Sequence, residues 1–389
     1  MAFQKILSLL KPHLNTINTL SSLKTSAQVN KGCPQIHASV GLHRFYSTTQ
    51  TSTAPPAGSE NHSLLENLRV LGVDLKMARQ RQPGVLRKNQ TNEHGLAEFL
   101  SQKGASREVI ASIISRFPRA ITRSEEHLEE RWCLWRNIFQ NDTEIVKILD
   151  RSPESFFRSS DNENLEKNIL FLTSLGILPQ DLSKLLTKAP RVFSNSLELN
   201  RTMVELLQSV CVSLGGQDHE GFARNIITRN IYVLIRSTKR VTANIHFLLE
   251  ALRLNKDEAL NLFQGHGAQI LDLSHNSLQR NFKSLQNKLK SLSCRRSDLK
   301  NLVLNYSQVL FVSPETLNAK LDCLLQGGIH LKWVVEKPKV LDFSVITLKQ
   351  RLEDLNALGY DFEKNGIAVL DMSKKRFEAK LDKLQVSGC

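Results

Sequence analysis

Beyond residue 65 the apolar residues of this chain come back in the same order again and again. The seven-residue block "PRVFSNS" (190–196) is matched upstream by "PRAITRS" (118–124) and "PESFFRS" (153–159). Downstream stand "IYVLIRS" (231–237), "AQILDLS" (268–274), "SQVLFVS" (307–313), "PKVLDFS" (338–344) and "IAVLDMS" (367–373). Each carries an aliphatic residue or Phe at the fourth place and Ser at the seventh. A degenerate ninth copy, "PGVLRKN" (83–89), ends in Asn. Successive copies start 35, 35, 37, 41, 37, 39, 31 and 29 residues apart. Such a period encodes one supersecondary unit repeated, not a string of unrelated domains.

Counting forward from the Ser, apolar side chains recur at +4, +8 and +11. They are Leu128/Trp132/Trp135, Val241/Ile245/Leu248, Leu278/Phe282/Leu285, Leu317/Leu321/Leu324, Leu348/Leu352/Leu355 and Phe377/Leu381/Leu384. After Ser159 the register slips by two, to Leu165/Ile169/Leu172, and after Ser196 it blurs. Steps of four, four and three line one face of an α-helix. The Ser is therefore expected as an N-cap, its hydroxyl accepting from an orphaned N–H of the first turn, and Pro314 suits the first helical position after Ser313. A shorter apolar helix precedes each block: "EVIASIISRF" (108–117), "EIVKILDR" (144–151), "DLSKLLTK" (181–188) and "DLKNLVLN" (298–305). Proline stops it where present, so the seven-residue block is a corner between a short and a long helix. One helix pair cannot bury its stripe alone. The pattern thus predicts an all-α superhelical solenoid of about nine repeats over 65–389, with Gly176, Gly215-Gly216, Gly327-Gly328 and Gly359 closing long helices.

Charge changes the picture next. The formal net charge is +14, from 52 Lys/Arg and 38 Asp/Glu; the first 59 residues hold five basic residues and no acid. Removing them leaves 47 basic residues against 38 acidic, about +9, which favours a polyanionic partner. The N-terminal stretch is Ser/Thr-rich, acid-free and mildly amphipathic, the composition of a mitochondrial transit peptide. We assign 1–46 to that peptide, 47–64 to a flexible linker and 65–389 to the repeats. The six cysteines are scattered without a Cys-x-x-Cys pair, so reduced thiols are expected. No apolar run is long enough to span a bilayer. "QGHG" (264–267) lacks the Lys-Ser/Thr of a phosphate loop. No nucleophile–base set and no His/Cys metal cluster is present, so the chain reads as a binder with no cofactor, not an enzyme.

The period of 30–40 residues with Pro-x-x-[Leu/Phe] and a following Ser resembles the mitochondrial transcription termination factor (mTERF) family. The segments "MARQRQPGVL", "KGASREVIASIISRFPRAITR", "RSPESFFRS", "APRVFSNSL" and "KKRFEAKL" carry the likeness furthest. The resemblance implies a mitochondrial matrix (nucleoid) protein, expected as a monomer, that binds double-stranded mitochondrial DNA along the major groove. The implied site lies within a leucine tRNA gene just past the ribosomal RNA genes. There the protein unwinds and bends the duplex, flips bases out and blocks the mitochondrial RNA polymerase. Carried over by motif position, Arg158, Arg191, Arg240 and Arg376 are candidate base readers, since a guanidinium can donate two hydrogen bonds to one guanine. Lys339 stands where the resemblance has another arginine and offers phosphate contact; Phe311 is a candidate for apolar contact with a base. Arg151 and Tyr232 are candidates for stacking on extruded bases. At the third implied stacking place the chain has Ser277, which cannot stack, with His275 nearby as a substitute. A second reading, RNA binding in mitoribosome assembly, uses the same basic solenoid. Lone arginines on helical proteins are commonly solvated or salt-bridged surface residues, and Phe311 and Tyr232 fit a core role too.

Overall fold

The computed structural model describes residues 59–387; the assigned transit peptide (1–46) and most of the linker lie outside them. Among the described residues the chain is all-α, with α-helices joined by 3-10 turns and no strand. The first helix among the described residues is His62–Val70, capped by the Asn61 side chain, so helical structure reaches into the segment assigned as linker. The chain divides into two units, 1–200 and 201–389, and the division falls within the helix Leu197–Ser213.

Within each unit like elements stack on like. In the first, the long helices Glu93–Gln102, Glu125–Arg136 and Asn162–Ser174 pack in succession, and so do the short helices Leu75–Arg81, Arg107–Arg116 and Asp142–Arg151. In the second, the long helices Thr238–Leu252, His275–Ser291, Pro314–Gln326 and Val345–Ala357 pack in the same order. Their corners stack too: His266–Asp272 on Ser307–Leu310, and Pro338–Asp342 on Ala368–Asp371. The +4, +8 and +11 stripe is the reason. From Leu128 to Leu355 every member of the five complete stripes is buried, whereas in the last helix only Phe377 is. Burying such a side chain is worth about 1.5–3 kcal/mol.

The corner serines do cap. Ser124, Ser237, Ser274, Ser313 and Ser344 each accept from the N–H three residues on. At Ser159 the pattern shifts: that helix is capped by Asp161, which accepts from the Asn164 N–H. Counted from Asp161, the stripe Leu165/Ile169/Leu172 returns to +4, +8 and +11, which explains the slip of two. Asn89 is likewise no cap, as its long helix begins at Glu93. Replacing Ser313 with alanine is expected to cost about 1 kcal/mol, because its Oγ lies 3.3 Å from the Thr316 N–H. A chemical-denaturation midpoint unchanged in that variant would contradict the capping role.

Of the paired glycines only Gly215 and Gly328 take a left-handed φ, as do the single Gly176 and Gly359. Two other long helices end without glycine, at Arg253 and Ser293, both at positive φ. Cys211, Cys294 and Cys323 are free thiols.

Candidate nucleic-acid interface

A corner can point only some of its seven side chains outward. The third and fourth, such as Val192/Phe193, Val233/Leu234 and Val340/Leu341, are buried and anchor it. The second sits on the opposite side of the turn and is exposed in Arg119, Arg191, Tyr232 and Lys339. Three of the candidate residues thus share one register place, with Arg191 in the first unit and Tyr232 and Lys339 in the second. Tyr232 is 38% exposed, outside the core that was its alternative reading.

A second register place is the third residue of the long helix, whose N–H meets the capping Ser. It holds Arg240 and Ser277, whose N–H groups make that bond, and by position also Arg376. Ser277 is drawn into the cap itself, accepting from the Ser274 hydroxyl at 2.7 Å. His275 is engaged by the preceding repeat: its Nδ1 lies 3.0 Å from Asn244 Oδ1, and its ring stands edge-on to Phe247.

The remaining candidates occupy other places. Phe311 is the fifth corner residue and half-buried. Arg158 is the sixth, exposed and ion-paired with Glu154 one turn back. Such an exposed pair is worth only about 0.3–0.5 kcal/mol, so a ligand could displace it cheaply. The sixth-place arginines of two other corners are committed elsewhere. Arg123 donates to the Phe157 carbonyl, with burial and then Arg119 pushing its pKa down, and Arg236 pairs with Asp272 of the next corner. Arg151 ends its short helix, where a cation suits the helix dipole and where Arg116 donates to the Arg151 carbonyl. Arg191, Arg240, Lys339 and Arg376 form no ion pair among the described residues.

Reading apolar spacing alone missed a set of buried polar side chains. At +7 from the cap stand Arg131, Asn168, Asn244, Asn281, Lys320 and Arg351, all buried. Each donates to carbonyls of the following corner: Arg131 to Phe156, Asn168 to Asn195, Asn244 to Leu273, Asn281 to Leu310, Lys320 to Leu341 and Arg351 to Leu370. Those carbonyls end a 3-10 or short α turn, where the helical ladder leaves them without a partner of their own. Burial, then Arg123, lowers the Arg131 pKa to about 10, with Asp161 opposing; burial lowers that of Lys320, with Asp342 opposing. The signal was in the sequence. Position +7 lies on the apolar face, so a polar residue recurring there marks a bridge between repeats. These bridges fix the angle at which each corner presents its second and sixth residues.

Among the described residues no group of three His, Cys, Asp or Glu side chains could hold a metal ion, and no helix is long and apolar enough to cross a membrane. The arrangement offers unpaired cations and one aromatic ring at repeated places, chemistry suited to phosphates and base edges.

Comparison with known proteins follows the same boundaries. The mTERF family model matches residues 65–378. The chain is 52% identical over 325 residues to Transcription termination factor 1, mitochondrial, of Homo sapiens, covering 84% of this chain and 82% of that one. It is 50% identical over 325 residues to Transcription termination factor 1b, mitochondrial, of Mus musculus (84% and 86%). To Transcription termination factor 2, mitochondrial, of Homo sapiens it is 31% identical over 336 residues (86% of each). With its repeats, its all-α columns and this match along most of its length, the chain belongs to the mTERF family.

Proposed function

We propose that this chain is a mitochondrial, non-enzymatic protein that binds double-stranded mitochondrial DNA at a specific sequence and terminates transcription there. The observation that carries the reading is the 52% identity, over 84% of this chain, to a relative named as a mitochondrial transcription termination factor. The register of the exposed cations supports it. Arg119, Arg191 and Lys339 put an exposed cation at the same corner position in three repeats, an arrangement that can follow a groove whose features also recur.

In the finer part of the proposal, Arg158, Arg191, Arg240 and Arg376 read base edges in the major groove. Lys339, with a point charge instead of a fork, holds a phosphate, and Phe311 gives apolar contact. Unwinding and bending would let bases leave the stack, at a cost of a few kcal/mol. The Arg151 guanidinium and the Tyr232 ring would offset that cost by stacking. With Ser277 fastened into a cap and His275 held by Asn244, the His275–Ser277 turn supplies no free ring. Retention of the flipped state then rests on the other two. A complex of this kind within the leucine tRNA gene, past the ribosomal RNA genes, would block the oncoming mitochondrial RNA polymerase.

Footprinting of the full chain on mitochondrial DNA, with ribosomal RNA as competitor, tests the reading. A protected DNA site that survives the RNA is the expected result; binding lost to RNA would instead support a role in mitoribosome assembly. Affinity should also fall steeply with salt, by about 0.9 in log K per log salt for each phosphate neutralised. A slope near zero would remove the basic body as the binding surface.

A further inference from the structure

The segment 273–297 has no acidic residue and six basic ones: Arg280, Lys283, Lys288, Lys290, Arg295 and Arg296. It comprises the long helix His275–Ser291 and the start of the next short helix. Three other long helices pair a surface lysine with a Glu one turn away: Lys167–Glu163, Lys349–Glu353 and Lys374–Glu378. Here the helix carries no acid to do so. Lys288 pairs across to Asp322 of the neighbouring helix, while Arg280, Lys283 and Lys290 form no ion pair among the described residues.

The charges also have an order. From Ser277 the helix shows Arg280, Ser284, Asn287 and Ser291 at steps of three, four, three and four, one strip down one face. Lys283 lies beside it, and together they line an open groove of about 470 Å³ against the helix Pro314–Gln326. The strip starts at the register place that holds Arg240 and Arg376 in other repeats. It therefore continues the candidate interface along the helix instead of forming a separate patch. Polar side chains recurring about every 5.4 Å, with the cations Arg280 and Lys283 at one end and Ser284, Asn287 and Ser291 beyond them, suit the oxygens of a phosphate chain better than a point anion. A membrane surface is disfavoured, because no large exposed apolar side chain lies in 275–296.

We propose that this strip is a grip on the phosphate backbone of duplex DNA, with Arg280 and Lys283 each holding a phosphate. It rests on the DNA-binding reading above. It gives the repeat with Ser277 an electrostatic hold where an aromatic stack is missing.

The test is the salt dependence of binding by the full chain, measured by anisotropy on a footprinted mitochondrial fragment and on a random-sequence duplex. The double substitution R280Q/K283Q should lower the log–log slope by about 2 and weaken both duplexes by the same factor. R280K/K283R should restore the slope, which separates lost contacts from lost folding. K184Q/K349Q removes as much charge from exposed lysines elsewhere and should leave the slope unchanged. An unchanged slope in R280Q/K283Q would overturn the grip while leaving DNA binding intact. So would an equal fall in the two Gln doubles, or a loss confined to the mitochondrial fragment. Failure of the wild-type chain to bind either duplex would overturn the underlying reading, and this one with it.

Discussion

Arg351→Ala should cost about 3 kcal/mol and release the last repeat from the array. Arg351 is 4% exposed, and its Nη1 donates to the carbonyls of Leu370 and Met372, both at 2.8 Å. Its guanidinium lies between two rings, 4.2 Å from the centroid of Phe343 and 4.5 Å from that of Phe377. Hydrogen bonds from a charged group are worth about 1.5–3 kcal/mol each and a desolvated cation–π contact about 2, without simple addition. Burial lowers the Arg351 pKa, so desolvation offsets part of the gain. Among the bridges at +7, Arg351 is the one that ties the corner 367–373 to the helix before it. Hydrogen exchange should therefore accelerate across 367–387 with little change near 131 or 168. Lys349→Ala, two residues away in an exposed pair, should stay within about 0.5 kcal/mol. If exchange in 367–387 remained as in the wild type, the bridge would be ornamental.

Arg191→Ala and Arg376→Ala should each weaken binding to the specific site by about 1–3 kcal/mol, roughly 5- to 150-fold, and hardly affect random duplex. The two stand at different register places, and neither is engaged in an ion pair among the described residues, so no intramolecular partner is stranded by their removal. A phosphate contact would instead weaken both DNAs alike, as expected for Lys339→Ala. Tyr232→Ala should follow a third course, with modest loss of affinity but a larger loss of polymerase arrest, since stacking prolongs residence on unwound DNA. Gel shift beside in-vitro transcription on one template separates the three. Normal termination by Tyr232→Ala, with fluorescent base analogues still reporting extrusion, would remove its stacking role.

The corner is legible because both its signals are local. An apolar pair that must be buried and a hydroxyl that must meet an orphaned N–H lie within seven residues of each other. The same locality misplaces the cap at Ser159: Ser and Asp cap equally well, and only the stripe's register favours Asp161. The bridges at +7 are visible as polar intrusions on an apolar face. Yet nothing in one helix says that Asn244 reaches Leu273, because that partner lies in the following corner.

The sequence alone determined the class of fold, the phase of six of the long helices and the family, since period, stripe and caps are one-dimensional quantities. It could also name cations by motif position. Which of them remain available was decided in three dimensions. Arg123 and Arg158 share the sixth place of successive corners, but Arg123 is half-buried against the Phe157 carbonyl while Arg158 sits outside with a displaceable Glu154. His275 looked like a spare ring beside Ser277 until the preceding repeat placed Asn244 against it. A side chain's freedom depends on desolvation and on partners from the next repeat, and both exist only once the repeats have stacked.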